Sequence, residues 1–426
     1  MTPVSNDTPP GRSAGPSGVL LTNGQLIDGI EDQAVDGCHV YVENGVIKAV
    51  GKEALSSAAE LKIDLKGKFI LPGLIDCHVH VIATTVRLAE NALQSDSLIT
   101  AKSISILKGM LERGFTTVRD AGGADFGLQQ AVEHGYIDGP RLVISGKALS
   151  QTGGHSDFRG RYDTRSSEWF ATRLGALGYA VDGVENLRCA IRQQIKGGAN
   201  FVKLMVNGGV ASPTDPINFL GFAEDEIRAA VEEAEMAQTY VAGHLYTAEA
   251  IKRAIRCGLR SVEHATLVDD EGANLIRQYN AVAVPTLIIF EALHRHGQAL
   301  GFPDEAIAKI DSVRLPGLTS LETLKKAGVT MGFGSDLLGE LHDLQSEEFL
   351  LRSEVLSAQE IIRSATLDAA KVLQMEDEIG CVQIGANADL LVMDEDPLLD
   401  ITALNKQGRN MPLIMKGGKF YKNMLN

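Results

Sequence analysis

The sequence predicts an α/β protein: a (β/α)8 TIM-like barrel with a small β-sandwich domain built from both chain ends. Three observations carry that expectation. Eight short apolar runs alternate with helical patterns through the middle of the chain, and hairpin-like segments with Asn-Gly or Gly-Gly turns stand at both ends. The length, 426 residues, suits one barrel of roughly 250–300 residues plus a smaller unit. Apolar residues at 44% and charged residues at 22% match a globular chain and exclude a disordered or fibrous one. Forty basic against 55 acidic residues leave a net charge of -15 with no basic run, so nucleic acid and anionic lipid are excluded as partners.

The elements follow in order. Residues 1–18, rich in Pro, Gly and Ser, predict a flexible tail without the apolar stretch of a signal peptide. A cytoplasmic protein is therefore expected, with an export signal upstream left open. Residues 19–72 carry short alternating runs with Asn23-Gly24 and Asn44-Gly45, each read as a hairpin turn. Residues 380–426 return to the same pattern with Gly417-Gly418, so 19–72 and 380–426 are expected to form one composite β domain. Between them, 73–379 holds eight strand candidates: 74–78, 115–119, 142–145, 201–205, 240–244, 261–264, 281–286 and 330–336. Helical patterns precede most of them and stop at Gly114, Gly135, Gly198, Gly258 and Gly328. Strands joined by helices run parallel, and eight of them favour a closed barrel over an open doubly wound sheet. No G-x-G-x-x-G follows the first strand, which counts against dinucleotide binding. Five scattered cysteines in no C-x-x-C spacing read as free thiols. No apolar run reaches the roughly 20 residues of a membrane span.

The chemistry concentrates at strand ends. "LPGLIDCHVH" places His78 and His80 two residues apart, so both imidazoles leave an extended chain on one side while Cys77 packs on the other. His244 ends the fifth candidate strand, His264 the sixth and Asp336 the eighth; Lys203 interrupts the apolar fourth. Any one of these histidines alone reads as a structural residue. Six such groups at the carboxyl ends of five strands, where barrel active sites are assembled, read as a metal centre. An ammonium inside an apolar strand is costly unless it loses its proton or finds a partner. Lys203 is thus expected either to pair with an acid across the interior or, as a neutral amine, to take up carbon dioxide as a carbamate.

These residues bring the chain close to a known family. "PGLIDCHVH", the strand-four lysine, the two later histidines, "GSD" and the tail "ATLDAAKVL…IGCVQIGANADLLVMD" resemble the metal-dependent amidohydrolase superfamily over residues 19–420. "QTGGHSD" and His244-x-Tyr246 resemble its prolidase and carboxypeptidase-like branch, which includes amidohydrolases of ochratoxin-type N-acyl phenylalanines. The resemblance implies two divalent metal ions, with zinc suiting the ligands best. It assigns His78, His80 and Asp336 to one ion and His244 and His264 to the other, bridged by carbamylated Lys203. It further implies a metal-activated hydroxide as nucleophile and a homo-oligomer.

Within that scheme Asp336 takes the proton of the attacking water and delivers it to the leaving nitrogen, since an amide anion leaves poorly. His155, in a glycine-flexed loop after strand three, and Tyr246 are candidates for polarising the substrate carbonyl or holding a carboxylate; a backbone-bonded loop histidine and a core tyrosine are the alternatives. The amides of 207–210 are a further candidate carboxylate cradle, with a plain turn equally open. His294, His296 and His342 are expected in solvated or outer positions, and His39 and His134 in structural ones. Residues 153–183 exceed an ordinary connection and predict a lid, an oligomer contact or both; 287–316 is a second excursion whose Phe290, Leu293 and Phe302 could wall the pocket. The expected substrate is a small amide or dipeptide: Xaa-Pro, Xaa-Phe or N-acyl phenylalanine. A cyclic-amide hydrolase, a mononuclear deaminase and a barrel scaffold without activity are the ranked alternatives, in that order.

Overall fold

A computed structural model describes residues 16, 18–210, 212, 214–302 and 304–425. Most of the expected tail, 1–15 and 17, lies outside the described residues; Gly18, assigned to that tail by composition, already opens a strand. The N-terminal part supplies β1 (Gly18–Leu26), β2 (Val35–Glu43), β3 (Val46–Val50), β4 (Leu61–Asp64) and β5 (Phe69–Pro72). The middle supplies β6 (Leu74–Val79), β7 (Phe115–Asp120), β8 (Arg141–Ile144), β9 (Ala148–Ser150) and β10 (Gly178–Ala180). It continues with β11 (Val202–Met205), β12 (Val241–Thr247), β13 (Ser261–Leu267), β14 (Val282–Val284) and β15 (Thr330–Met331). The C-terminal part adds β16 (Leu390–Met393), β17 (Leu413–Lys416) and β18 (Lys419–Asn423).

Strands from both chain ends pair in one sheet of order β18-β17-β16-β5-β1-β2-β3, with β4 also on β1. Asn44-Gly45 and Gly417-Gly418 turn the hairpins β2–β3 and β17–β18, as expected, with all four residues at positive φ. Asn23-Gly24 is different. Asn23 has φ 56, yet β1 runs straight through the pair and only shifts register there. The dipeptide makes a bulge, after which β1 exchanges β4 for β5 as its parallel neighbour.

The middle is α/β with parallel strands in two sheets, β6-β7-β8 and β10-β9-β11-β12-β13-β14-β15. Each of the eight expected runs contains a strand, though 330–336 keeps only its first two residues, and helices such as Asp96–Glu112, Val184–Lys196 and Ala248–Arg256 precede β7, β11 and β13. The five glycine stops all take positive φ. At Gly198 a Cβ would also meet the Phe126 ring at 2.5 Å, so the stop doubles as a close packing point. Backbone bonds tie the flanks of the two sheets: Cys77 N to Phe333 O at 2.7 Å, Asp336 N to His78 O at 2.8 Å, and Asn200 N to Ile144 O at 2.7 Å.

The excursion at 153–183 returns as β10, which pairs with β9, an element the sequence did not signal. Lys147 fastens its root by donating to the carbonyls of Arg173 (2.8 Å), Leu174 (3.2 Å) and Ala176 (2.6 Å). The second excursion folds as helices Ile288–His296 and Asp304–Arg314. Among the described residues, no helix is long and apolar enough to cross a membrane, and all five cysteines are free.

Candidate metal centre and active site

The eight residues singled out for chemistry meet at one buried cavity. His78, His80, His155, Lys203, His244, Tyr246, His264 and Asp336 all line it. The strands deliver them unevenly. His78 lies in β6 and His80 one residue beyond it; Lys203 sits within β11, and His244 and Tyr246 within β12. Asp336, expected at the end of the last strand, lies five residues past β15 in a left-handed conformation (φ 55). The chain there has left the ladder, and the Asp336 amide is held by His78 O instead.

Asp336 Oδ1 lies 3.4 Å from His78 Nε2 and 3.2 Å from His80 Nε2, and Oδ2 lies 3.8 Å from His264 Nδ1. His78, His264 and Asp336 each offer a donor atom within 4.8 Å of the others. His244 Nδ1 and His264 Nε2 face one another at 2.9 Å. The opposite ring nitrogens are held by groups of known polarity. His80 Nδ1 donates to Gly122 O (3.0 Å) and His244 Nε2 to Gly208 O (3.3 Å), which leaves His80 Nε2 and His244 Nδ1 with their lone pairs.

Burial, reinforced by the Lys203 charge, pushes His78 well below the usual imidazole range; burial and His155 do the same to His244. Burial brings His264 down to about 3. These three are held in the neutral form that a cation requires, whereas at His80 the effect of burial is outweighed by the Asp336 carboxylate, which raises it. Burial also draws the Lys203 amine down to about 8. Its Nζ has no hydrogen-bond partner among the described residues, so the expected alternative, an ion pair across the interior, is not formed. An orphaned, buried amine amid four imidazoles and a carboxylate fits a carbamate-bridged pair of divalent cations.

His155 stacks on His244 at 4.1 Å, and its Nδ1 meets Ser212 Oγ at 2.7 Å and Asp215 Oδ2 at 3.6 Å. Tyr246 meets His244 edge-on at 4.5 Å and Phe290 at 5.8 Å. Burial first, then the Asp336 and Asp215 charges, hold its phenol well above the usual range, so it stays a donor. Phe290 and Leu293 line the cavity, together with Phe158 and Leu177; Phe302 is not among the lining residues. The cavity encloses about 50 Å³, far below the roughly 300 Å³ at the lower end of ligand pockets.

Two of the amides of 207–210 are already committed, Gly208 N to Phe219 O (2.8 Å) and Gly209 N to Asp215 Oδ2 (3.0 Å), which favours the plain turn over the carboxylate cradle at these two positions. His342 is buried, with Nε2 on Ala83 O, and His294 pairs with Asp311. His39 accepts from Asn23 N, and His134 stands at the C-terminal end of the helix Phe126–Glu133.

Several supporting groups escaped the sequence reading. Glu263 binds His78 Nδ1 at 2.7 Å, Thr286 Oγ1 lies 2.8 Å from His264 Nδ1, and Asp120 gathers the amides of Val81, Gly122 and Ala124. Alternation along β13 assigns Glu263 and His264 to opposite faces, yet both reach the site. His264 (φ 71) and Ala265 (φ 53) are consecutively left-handed and turn the strand between them. No sequence signal marks that twist.

A profile of the Amidohydrolase family matches residues 69–420. The ochratoxinase of Aspergillus niger is 29% identical over 422 residues, covering 95% of this chain and 86% of that protein. Among solved structures, a prolidase complexed with N-methylphosphonate-L-proline is 47% identical with a TM-score of 0.93, covering 95% of this chain and all of that one. A Xaa-Pro dipeptidase with bound methionine is 30% identical with a TM-score of 0.85, covering 96% of this chain and all of that one.

Proposed function

The chain belongs to the amidohydrolase family, and from that premise we propose that it is a metal-dependent hydrolase of peptide-like and N-acyl amino acid amides. Ochratoxinase and prolidase among its relatives support hydrolysis of C–N bonds and point to Xaa-Pro, Xaa-Phe and N-acyl phenylalanine substrates. The observation that carries the reading is the convergence of four histidines and Asp336, the orphaned Lys203 amine, His155 and Tyr246 on one cavity.

His78, His80 and Asp336 would hold one divalent cation, His244 and His264 the second, with carbamylated Lys203 between them. Such cations, zinc being the expected pair, acidify water and polarise a carbonyl. The chain's own groups do the rest. Asp336 takes the proton of the attacking water and returns it to the leaving nitrogen. Tyr246 donates to the scissile carbonyl. His155, steadied by Ser212 and Asp215, receives the substrate carboxylate. The 153–183 and 287–316 excursions close over the substrate and exclude bulk water.

The same reading treats the two parallel sheets as one closed barrel over 73–379, supported by the backbone bonds across both flanks. It treats the end-built sheet of 19–72 and 380–426 as a two-layered domain sharing β1, supported by the change of partner at Gly24. A homo-oligomer is expected on family resemblance, and sedimentation measures it. A panel of Xaa-Pro, Xaa-Phe and N-acyl phenylalanine amides, assayed with zinc, tests the function. Turnover of these is the expected result; turnover of hydantoins or dihydropyrimidines alone would replace it with cyclic-amide hydrolysis.

A further inference from the structure

We infer that Arg119 and Glu263 form a buried positioning pair that fixes His78 in the tautomer and orientation in which Nε2 binds a cation. The inference rests on the metal-dependent reading above. Both side chains are fully buried, and neither lines the cavity, so neither touches substrate.

The hydrogen bonds close without remainder. A guanidinium carries five N–H donors, and each has an acceptor here. Nε donates to Cys77 O at 2.6 Å. Nη1 donates to Tyr240 Oη at 3.3 Å and Ser261 Oγ at 3.2 Å. Nη2 donates to Glu263 Oε1 at 2.7 Å and Oε2 at 2.8 Å. On the carboxylate, Oε1 also accepts from Ser261 Oγ (2.6 Å), and Oε2 faces His78 Nδ1 at 2.7 Å. Both carboxylate oxygens act as acceptors of Arg119, so the proton shared with His78 sits on Nδ1. Nε2 then keeps its lone pair, on the side where Asp336 Oδ1 stands at 3.4 Å. The bond to Cys77 O fixes the backbone one residue before His78, so one guanidinium anchors both the strand and, through Glu263, the ring.

A second buried pair shows why this one is special. Arg352 and Glu348 are as deeply buried, but beyond each other they hydrogen-bond, among the described residues, only to backbone groups and Ser364. Buried ion pairs give little net stability over apolar replacements. The Arg119 pair instead spends its free carboxylate lone pair on an imidazole of the site. His80, by contrast, rests on a neutral carbonyl. A carboxylate behind an imidazole raises its basicity as a ligand, and loss of such support typically costs roughly 10–100-fold in metal affinity.

Two variants test this against the wild-type chain. R119M/E263Q removes both buried charges together and so avoids stranding either one. Glu263→Asp keeps the pair with Arg119 but withdraws the oxygen from Nδ1 by one methylene, and it decides the matter if the double variant fails to fold. Each protein is loaded with zinc, challenged with graded chelator and assayed for metal per chain by mass spectrometry, beside its Tm. The expected result is wild type retaining two zinc ions and the variants losing one of them at roughly 10–100-fold lower chelator concentration, with folded spectra. Wild-type retention in the folded variants overturns the inference, as does a fall in Tm with metal retention unchanged, because the pair would then be structural only. Wild type that binds no zinc rejects the metal-dependent reading beneath it.

Discussion

Asp336 presents one oxygen to His78 and His80 and the other to His264. Asn at this position keeps the shape and one acceptor but cannot carry a proton from water to the leaving nitrogen. Turnover of Asp336→Asn should fall by roughly 10²–10⁴-fold while most of the metal stays, as steady-state kinetics beside metal analysis will measure; an undiminished rate removes Asp336 from the proton path. Lys203 gives a pH dependence of defined sign. Burial lowers its amine to about 8, so the neutral, carbon-dioxide-reactive form grows as pH rises toward that value. At equal dissolved carbon dioxide, loading of metal-free protein with zinc should be faster at about pH 8 than at about pH 6.5, and Lys203→Met should lose that difference. The ligands were legible because each interrupts an otherwise apolar strand end. Glu263 and Arg119 were not, since a charged residue in a strand ordinarily reads as its solvent face; Glu263 instead shares one face of β13 with Ser261, and the left-handed pair His264 and Ala265 turns the chain just beyond it.

Among the elements, the loop–helix junctions around the site are tied by two buried charges. Glu348 accepts from the amides of Leu287 (2.9 Å) and Ile288 (2.7 Å), opening the second excursion, and pairs with Arg352 at 2.8 Å. Glu348→Ala strands that guanidinium and should cost about 3–5 kcal/mol in denaturant unfolding, whereas the double replacement by apolar residues should recover most of it. Lys147 roots the first excursion through the carbonyls of 173–176. Lys147→Met leaves buried carbonyls unsatisfied, at about 1–3 kcal/mol each. It should also shift the emission of Trp169, which carries Arg165 at 4.8 Å and Arg173 at 5.4 Å on its ring; unchanged emission would mean the root does not govern the excursion. The eight main strands were readable from their apolar runs and glycine stops. β9 and β10, three residues each, are too short for any periodicity, and Asn23-Gly24 shows that one dipeptide serves a hairpin or a bulge according to what pairs beside it.

For the whole molecule, a net charge of -15 sets a long-range field that repels a carboxylate-bearing substrate. The arginines of the 153–183 excursion offset it little, because Arg159 closes on Asp157 and Arg165 on Asp163, each two residues back. Raising ionic strength from about 0.01 M to about 0.2 M shortens the Debye length from about 30 Å to under 10 Å. KM should fall several-fold with kcat unchanged, and a flat salt profile would exclude long-range repulsion from the reaction. The sheet shared by the two chain ends carries a consequence for synthesis. β5 has β1 on one side and β16 on the other, and roughly 300 residues are translated between β5 and β16, taking about 15–60 s at ribosomal speed. Throughout that interval the Phe69–Pro72 edge is open, a template for any neighbouring nascent chain. Chaperone demand during expression should therefore track the delivery of the last forty residues, and truncating them should give aggregation rather than a smaller folded enzyme.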